Sequence, residues 1–269
     1  LEFDRLTTSE DVEVPFAASM NPTGDFSVNA WVKAGSSNDW QSVVTSRSAD
    51  TACGDLNNRT KGYMLYIQPD EEWSFWNGRC GTNKWAQINT TVEVNLNTWQ
   101  MQTVTYDASA TMMKLYVDGV LIGNNNSDTL TANTNRPLRI GAGATNEDTP
   151  RYWFNGKIDE VAIWSSTLSA AEITQLYNSG ETLYAGENYG NYTSAGSLGE
   201  YWTMDDTYAA KPIRIGMDYN GANGFAGYID EFRVSNTNRY TGAFTAPTGV
   251  FQGDNNTKLL FHFDGANGD

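Results

Sequence analysis

Basic residues are scarce in this 269-residue chain. Its 17 Lys and Arg stand against 32 Asp and Glu, a net charge of −15. Neutralising phosphates takes clustered Lys and Arg, so this balance argues against a nucleic-acid partner and against docking on an anionic bilayer. No apolar run approaches the roughly 18 residues that a membrane-spanning helix needs, so no inserted helix is expected. Histidine occurs once, as His262. A Ser-His-Asp arrangement therefore has a single candidate, and no Gly-x-Ser-x-Gly elbow accompanies it. Cysteine occurs twice, at Cys53 and Cys80, without zinc-ligand spacing. The even count and the Gly-, Asn- and Trp-rich stretch between them point to one disulfide closing a loop; the alternative is two thiols in a cytosolic protein. Helical periodicity is nearly absent, which leaves strands as the main building material.

What is present is repetition. Arg136-Pro137-Leu138-Arg139-Ile140-Gly141 returns as Lys211-Pro212-Ile213-Arg214-Ile215-Gly216, and Gly156-Lys157-Ile158-Asp159-Glu160-Val161 returns as Gly227-Tyr228-Ile229-Asp230-Glu231-Phe232. Phe3-Asp4 is echoed by Phe263-Asp264 and, more weakly, by Met204-Asp205. Such self-similarity reveals the unit of construction: one unit is complete and a second is abbreviated.

Period-two alternation runs through the first 165 residues. Phe26, Val28, Ala30 and Val32 fall on one side of a strand. Gly62–Ile67 and Trp73–Trp76 read as two strands joined by a turn, and Trp99–Tyr106 as another. Asp118-Gly119 between Met113–Val117 and Val120–Ile122 predicts a two-residue hairpin turn, because both central residues must adopt positive φ. Ser169-Ala170-Ala171-Glu172 is a capping box that opens one short helix, with Gly180 as its terminator. Many short strands with Gly, Asn, Asp and Pro punctuation predict a two-sheet antiparallel sandwich. The expected division is a sandwich over 1–180, a linker or long loop over 181–199, and an incomplete second repeat over 200–269. Too few strands remain in that tail to close a core. Tyr201–Met204 or Leu259–Phe263 is therefore expected to add to a sheet outside its own fragment, in the first sandwich or in another subunit.

In order, Leu1–Asp4, Phe26–Lys33, Asn97-Thr98-Trp99, Leu115-Tyr116-Val117-Asp118-Gly119, Leu138–Gly141 and Gly156–Trp164 resemble the laminin-G-like, concanavalin A-like lectin-glucanase superfamily. The resemblance implies an all-β jelly-roll sandwich with one short helix, followed here by the abbreviated second β unit. The tail is similar to repeat modules of bacterial surface proteins and marine phage structural proteins. The resemblance also implies a structural Ca²⁺ on Asp4 and Asp159, with the carbonyl of Asn155 nearby and Asp230 as the counterpart in the second unit. The chain departs from the family pattern at Arg5, where glycine is usual.

Related jelly rolls include glycoside hydrolases, which need two carboxylates across a cleft. No E-x-D-x-x-E run exists here; Asp159 and Glu160 are adjacent and point to opposite faces. The expectation is a non-enzymatic recognition module. Glycan binding needs aromatic faces, and Trp40, Trp73, Trp76, Trp85 and Trp153 fall in or beside loops and edge strands. Trp73 and Trp76 project to opposite faces, so at most one of them faces ligand. The expected role is adhesion at an extracellular or virion surface by binding glycans or neighbouring proteins. The alternative is a structural subunit of an extracellular fibre or virion, oligomerising through its C-terminal tail.

Overall fold

The computed structural model describes residues 1–5, 11–36, 38–48, 53, 60–80, 85–126, 130–145 and 149–204. Of the remainder it describes 225–227, 229, 231–235, 237, 239–240, 242, 249, 251–254 and 256–261. The chain forms two compact units, Leu1–Asp206 and Thr207–Asp269.

The first unit is a sandwich of two antiparallel sheets. Its strands are β1 Glu2–Phe3, β2 Val12–Val14, β3 Phe26–Ala34, β4 Gln41–Ser48, β5 Lys61–Ile67, β6 Glu72–Asn77, β7 Ala86–Glu93 and β8 Gln100–Asp107. They continue with β9 Met112–Val117, β10 Val120–Asn126, β11 Leu138–Ile140, β12 Gly143–Ala144, β13 Pro150–Arg151, β14 Gly156–Trp164 and β15 Leu198–Trp202. One sheet runs β1-β14-β3-β8-β9-β10 with β15 also on β14; the other runs β2-β11-β4-β5-β6-β7. The alternation expected of β3 holds: Phe26, Val28, Ala30 and Val32 meet Leu65, Ile67, Trp73 and Phe75 in the core between the sheets. The β9–β10 turn has Asp118 at φ 52° and Gly119 at φ 79°, as a two-residue turn demands. The Asp118 carboxylate ties this turn to β8 by accepting the Met101 N–H at 2.8 Å.

The outer face of the β14-β3-β8-β9 sheet is covered rather than bare. Helix α1, Ala170–Tyr177, lays Ile173 and Leu176 against Trp31, Met101, Tyr116 and Trp164. The capping box is formed: the Glu172 N–H donates to Ser169 Oγ and the Ser169 N–H donates to Glu172 Oε2. Residues 181–199, expected to be a linker or long loop, extend this cover. Tyr192 is fully buried and accepts a 2.8 Å hydrogen bond from the Trp164 indole. The chain then enters β15, which pairs antiparallel with β14 (Val161↔Trp202, Ala162↔Tyr201). The first unit therefore runs past 180 to Asp206. On this edge of β14, β1 and β15 meet end to end: the Leu1 backbone nitrogen donates to the carbonyls of Ile158 and Met204.

In the second unit, β16 Phe232–Ser235 pairs antiparallel with β17 Thr257–Phe261. The tail strands thus divide. Tyr201 and Trp202 complete the first sandwich, whereas Leu259–Phe261 pair within their own unit; His262, Phe263 and Asp230 lie outside the described residues.

Candidate functional site

The outer face of the β4-β5-β6-β7 sheet carries a connected set of aromatic rings. Strand alternation sends Trp73 and Phe75 inward and Trp76 outward. Tyr66 on β5 also faces outward and lies beside it. Trp40, just ahead of β4, packs edge-on against Trp76 (centroids 5.1 Å, 69°) and Tyr66 (5.4 Å, 63°). Trp76 meets Tyr66 at 5.6 Å and Trp85 at 6.3 Å. Tyr152, following β13, continues the set from Tyr66 at 5.8 Å. Trp40, Trp76, Trp85 and Tyr152 are half-buried, each keeping part of its ring in water, while Tyr66 beneath them is buried. Burial pushes the Tyr66 phenol far above its usual range, so it stays a neutral donor, directed at Met64 Sδ at 3.0 Å.

Polar groups hold these rings in place. The Trp76 indole N–H is shared between Ser74 Oγ (2.9 Å) and Asn89 Oδ1 (3.0 Å). The Asn89 amide then donates to Gln87 Oε1 at 3.2 Å. The Arg47 guanidinium sits 5.1 Å over Trp85 and donates to the Ala144 carbonyl. Arg151 sits 5.5 Å over Tyr152. Cation–π contact and hydrogen bonding both restrict ring rotation. Crossing four strands at about 4.8 Å spacing, the platform extends roughly 14 Å. Rigid aromatic faces beside fixed amides and guanidinium groups are what a polyhydroxylated ring needs for stacking and orientation.

Three of the five predicted tryptophans, Trp40, Trp76 and Trp85, come together here. Trp73 does not: it is 0% exposed inside the core, so as a ligand contact it is corrected to a packing residue. Trp153 is half-buried and joins none of the ring contacts recorded for the platform. Tyr66 and Tyr152 escaped the sequence reading. Pairing β5 with β6 across the expected turn would have placed Tyr66 on the Trp76 face, but nothing local marks Tyr152.

Over residues 6–174 the chain matches the sequence model of the laminin-G type within the concanavalin A-like lectin/glucanases superfamily. The chain belongs to that superfamily. No curated protein matches it. Among solved structures, the superfamily fold is shared with a Bacteroides ovatus protein described as carbohydrate-binding: TM-score 0.54, 15% identity, covering 77% of this chain and 51% of that one. This chain thus spans about half the length of that protein. The CBM40 of Ruminococcus gnavus IT-sialidase, bound to alpha2,3 sialyllactose, has TM-score 0.53 and 17% identity over 66% of this chain and 98% of its own. The same CBM40 bound to alpha2,6 sialyllactose gives TM-score 0.51 and 16% identity, again over 66% and 98%.

The disulfide expected from the even cysteine count is formed, joining Cys53 to Cys80 with Cα atoms 5.0 Å apart. The calcium candidates are placed differently from expectation. Phe3 pairs with Gly156, which sets Asp4 beside Asn155. Asp159 lies four residues further along β14, roughly 13 Å at a strand's rise per residue. A Ca²⁺ ion holds oxygens at about 2.3–2.6 Å, so the register keeps Asp4 and Asp159 from sharing one. Asp159 Oδ1 accepts the Glu160 N–H at 3.1 Å, and the Asn155 carbonyl accepts the Gly35 N–H at 2.7 Å. Among the described residues no group of three or more His, Cys, Asp and Glu side chains gathers to hold a metal.

Proposed function

We propose that this chain is a non-catalytic glycan-recognition module acting in adhesion at an extracellular surface. It binds sugar through the platform of Trp40, Trp76, Trp85 and Tyr152. The observation that carries this reading is the convergence of four half-buried aromatic rings on one outer sheet face, braced by Asn89, Arg47 and Arg151. Sugar rings present apolar C–H faces to aromatic surfaces and hydroxyls to fixed polar groups. The fold shared with carbohydrate-binding structures supports the reading, as does the disulfide, which belongs to oxidising compartments. A glycan array probed with the parent protein and Trp76→Ala tests it. Binding that depends on Trp76 supports the reading; an array without signal for the parent removes it.

A second reading, a structural subunit of an extracellular fibre or virion, draws on the second unit. Among its described residues are two strands, a pair that is marginal in water by itself, and Phe225, Ile229, Val234 and Tyr240 are exposed there. Light scattering at rising concentration separates the two: ordered self-assembly favours the subunit, and a persistent monomer removes it.

A further inference from the structure

Of the nine tryptophans, eight are buried or half-buried, and only Trp99 is exposed, at 39%. It stands at the rim of a cleft of about 440 Å³ on the outer face of the β14-β3-β8 sheet, lined also by Trp31, Asp159, Gly180, Glu181 and Thr182. From this arrangement we infer a second saccharide subsite, one that takes a neutral pyranose. The inference rests on the glycan-binding reading above and assigns it a further, separate place.

Each wall has a structural cause. Trp31 on β3 lies opposite Asp159 on β14. Tyr177 at the end of α1 stacks on Trp31, with centroids 5.9 Å apart and planes at 20°. That stack leaves Trp31 4% exposed, a fixed floor. Trp99 arrives from the β7–β8 turn, where Asn97 adopts φ 58° and its N–H is held by the Ala34 carbonyl at 2.8 Å. The opposite wall follows α1: Ser179 at φ 60° and Gly180 at φ 99° turn the chain sharply, bringing Glu181 and Thr182 to the cleft.

The chemistry is a stacking face with two carboxylates and one hydroxyl, and among the described residues the lining holds no Lys or Arg. A carboxylate offers about four lone-pair sites, so Asp159 can accept a sugar hydroxyl while keeping the Glu160 N–H. An acidic sugar would meet like charge there, which is strongly unfavourable at close range. The platform on the other sheet, with Arg47 and Arg151, carries no such bar. The two sheets of a sandwich pack about 10 Å apart, and the sites lie on their outward faces. One saccharide therefore cannot reach both, and a single copy is divalent, able to bridge two glycan chains.

The test is a glycan array of neutral and sialylated oligosaccharides, probed with the parent, Trp99→Ala, Trp76→Ala and the double variant. Thr182→Ala serves as a milder change in the cleft, and near-UV circular dichroism confirms each fold. The expected result is that Trp76→Ala retains binding to neutral glycans only. Trp99→Ala in that background, and Thr182→Ala to a lesser extent, lowers this residual binding about tenfold or more. Residual binding that is unchanged by Trp99→Ala, or absent after Trp76→Ala alone, overturns the cleft and leaves the platform standing. Loss with Trp99→Ala but none with Trp76→Ala overturns the platform and keeps the cleft. No binding by the parent overturns both.

Discussion

Glu160 and Glu231 hold the same backbone position in two copies of one motif. Both are left-handed, at φ 49° and 51°, and each immediately precedes a residue that starts an antiparallel pairing. Val161 faces Trp202 and Phe232 faces Phe261; the next two pairs follow in step, and then both ladders slip at the equivalent place, Ile163/Trp164 and Val234/Ser235. The sequence repeat is therefore a backbone repeat, bulge included. β15 relates to β14 as β17 relates to β16.

If β15 is an integral strand of the first sandwich, the end point of a truncated chain matters. A chain ending at Asp206 keeps the pairing of Leu198–Trp202 with β14, whereas one ending at Ser197 leaves that edge open. Thermal unfolding followed by circular dichroism is expected to show a melting temperature several degrees lower for the shorter chain. Equal melting temperatures would contradict the assignment.

Much of this frame was legible beforehand. Strands announced themselves by alternation, Asp118-Gly119 by its turn chemistry, and α1 by Ser169 and Glu172. The boundary at 180 was not legible, because residues 181–197 bury Ala185 and Tyr192 through single contacts without any period. The platform was half legible for the same reason. Trp76 follows from the alternation of β6, while Trp40, Trp85 and Tyr152 lie outside or at the margin of regular strands, and only tertiary structure brings them together.

Cys53 and Cys80 are separated by 27 residues, and closing a loop of that length stabilises by about 3–4 kcal/mol in the chain-entropy account. Cys53→Ser/Cys80→Ser, or reduction, is expected to lower stability by that order in denaturant titrations. Mass spectrometry of the untreated protein should find no free thiol.

Glu172 gives a pH dependence with a definite sign. Burial raises its affinity for a proton, but hydrogen bonds from Ser194, Ser169 and Thr193 together outweigh this and hold its carboxyl below the ordinary glutamate value. A depressed folded-state value means that its stabilisation is complete above the unfolded-state value. That stabilisation is lost as pH falls through the folded one. Glu172→Ala is expected to cost about 2 kcal/mol at neutral pH, and the cost should shrink in acid. A cost that stays constant down to pH 3 would show that the carboxylate is not the source.

Trp73 and Trp76 lie three positions apart on β6 and face opposite ways, one into the core and one outward, so removing them should have different consequences. Trp73→Ala empties a fully buried site and is expected to cost about 3–5 kcal/mol, read as a lower midpoint in urea. Trp76→Ala opens no core cavity, so its midpoint should stay much closer to the parent's. A larger loss for Trp76→Ala than for Trp73→Ala would mean that the platform is a structural element rather than a binding surface.

The most direct measurement of the central claim is calorimetric titration with the sialylated glycan that the parent binds most tightly on the array, comparing parent and Trp76→Ala at matched folding. The predicted result is at least a tenfold weaker affinity for Trp76→Ala with the parent's near-UV circular dichroism spectrum retained. Equal affinity in the two proteins would contradict glycan recognition by this platform.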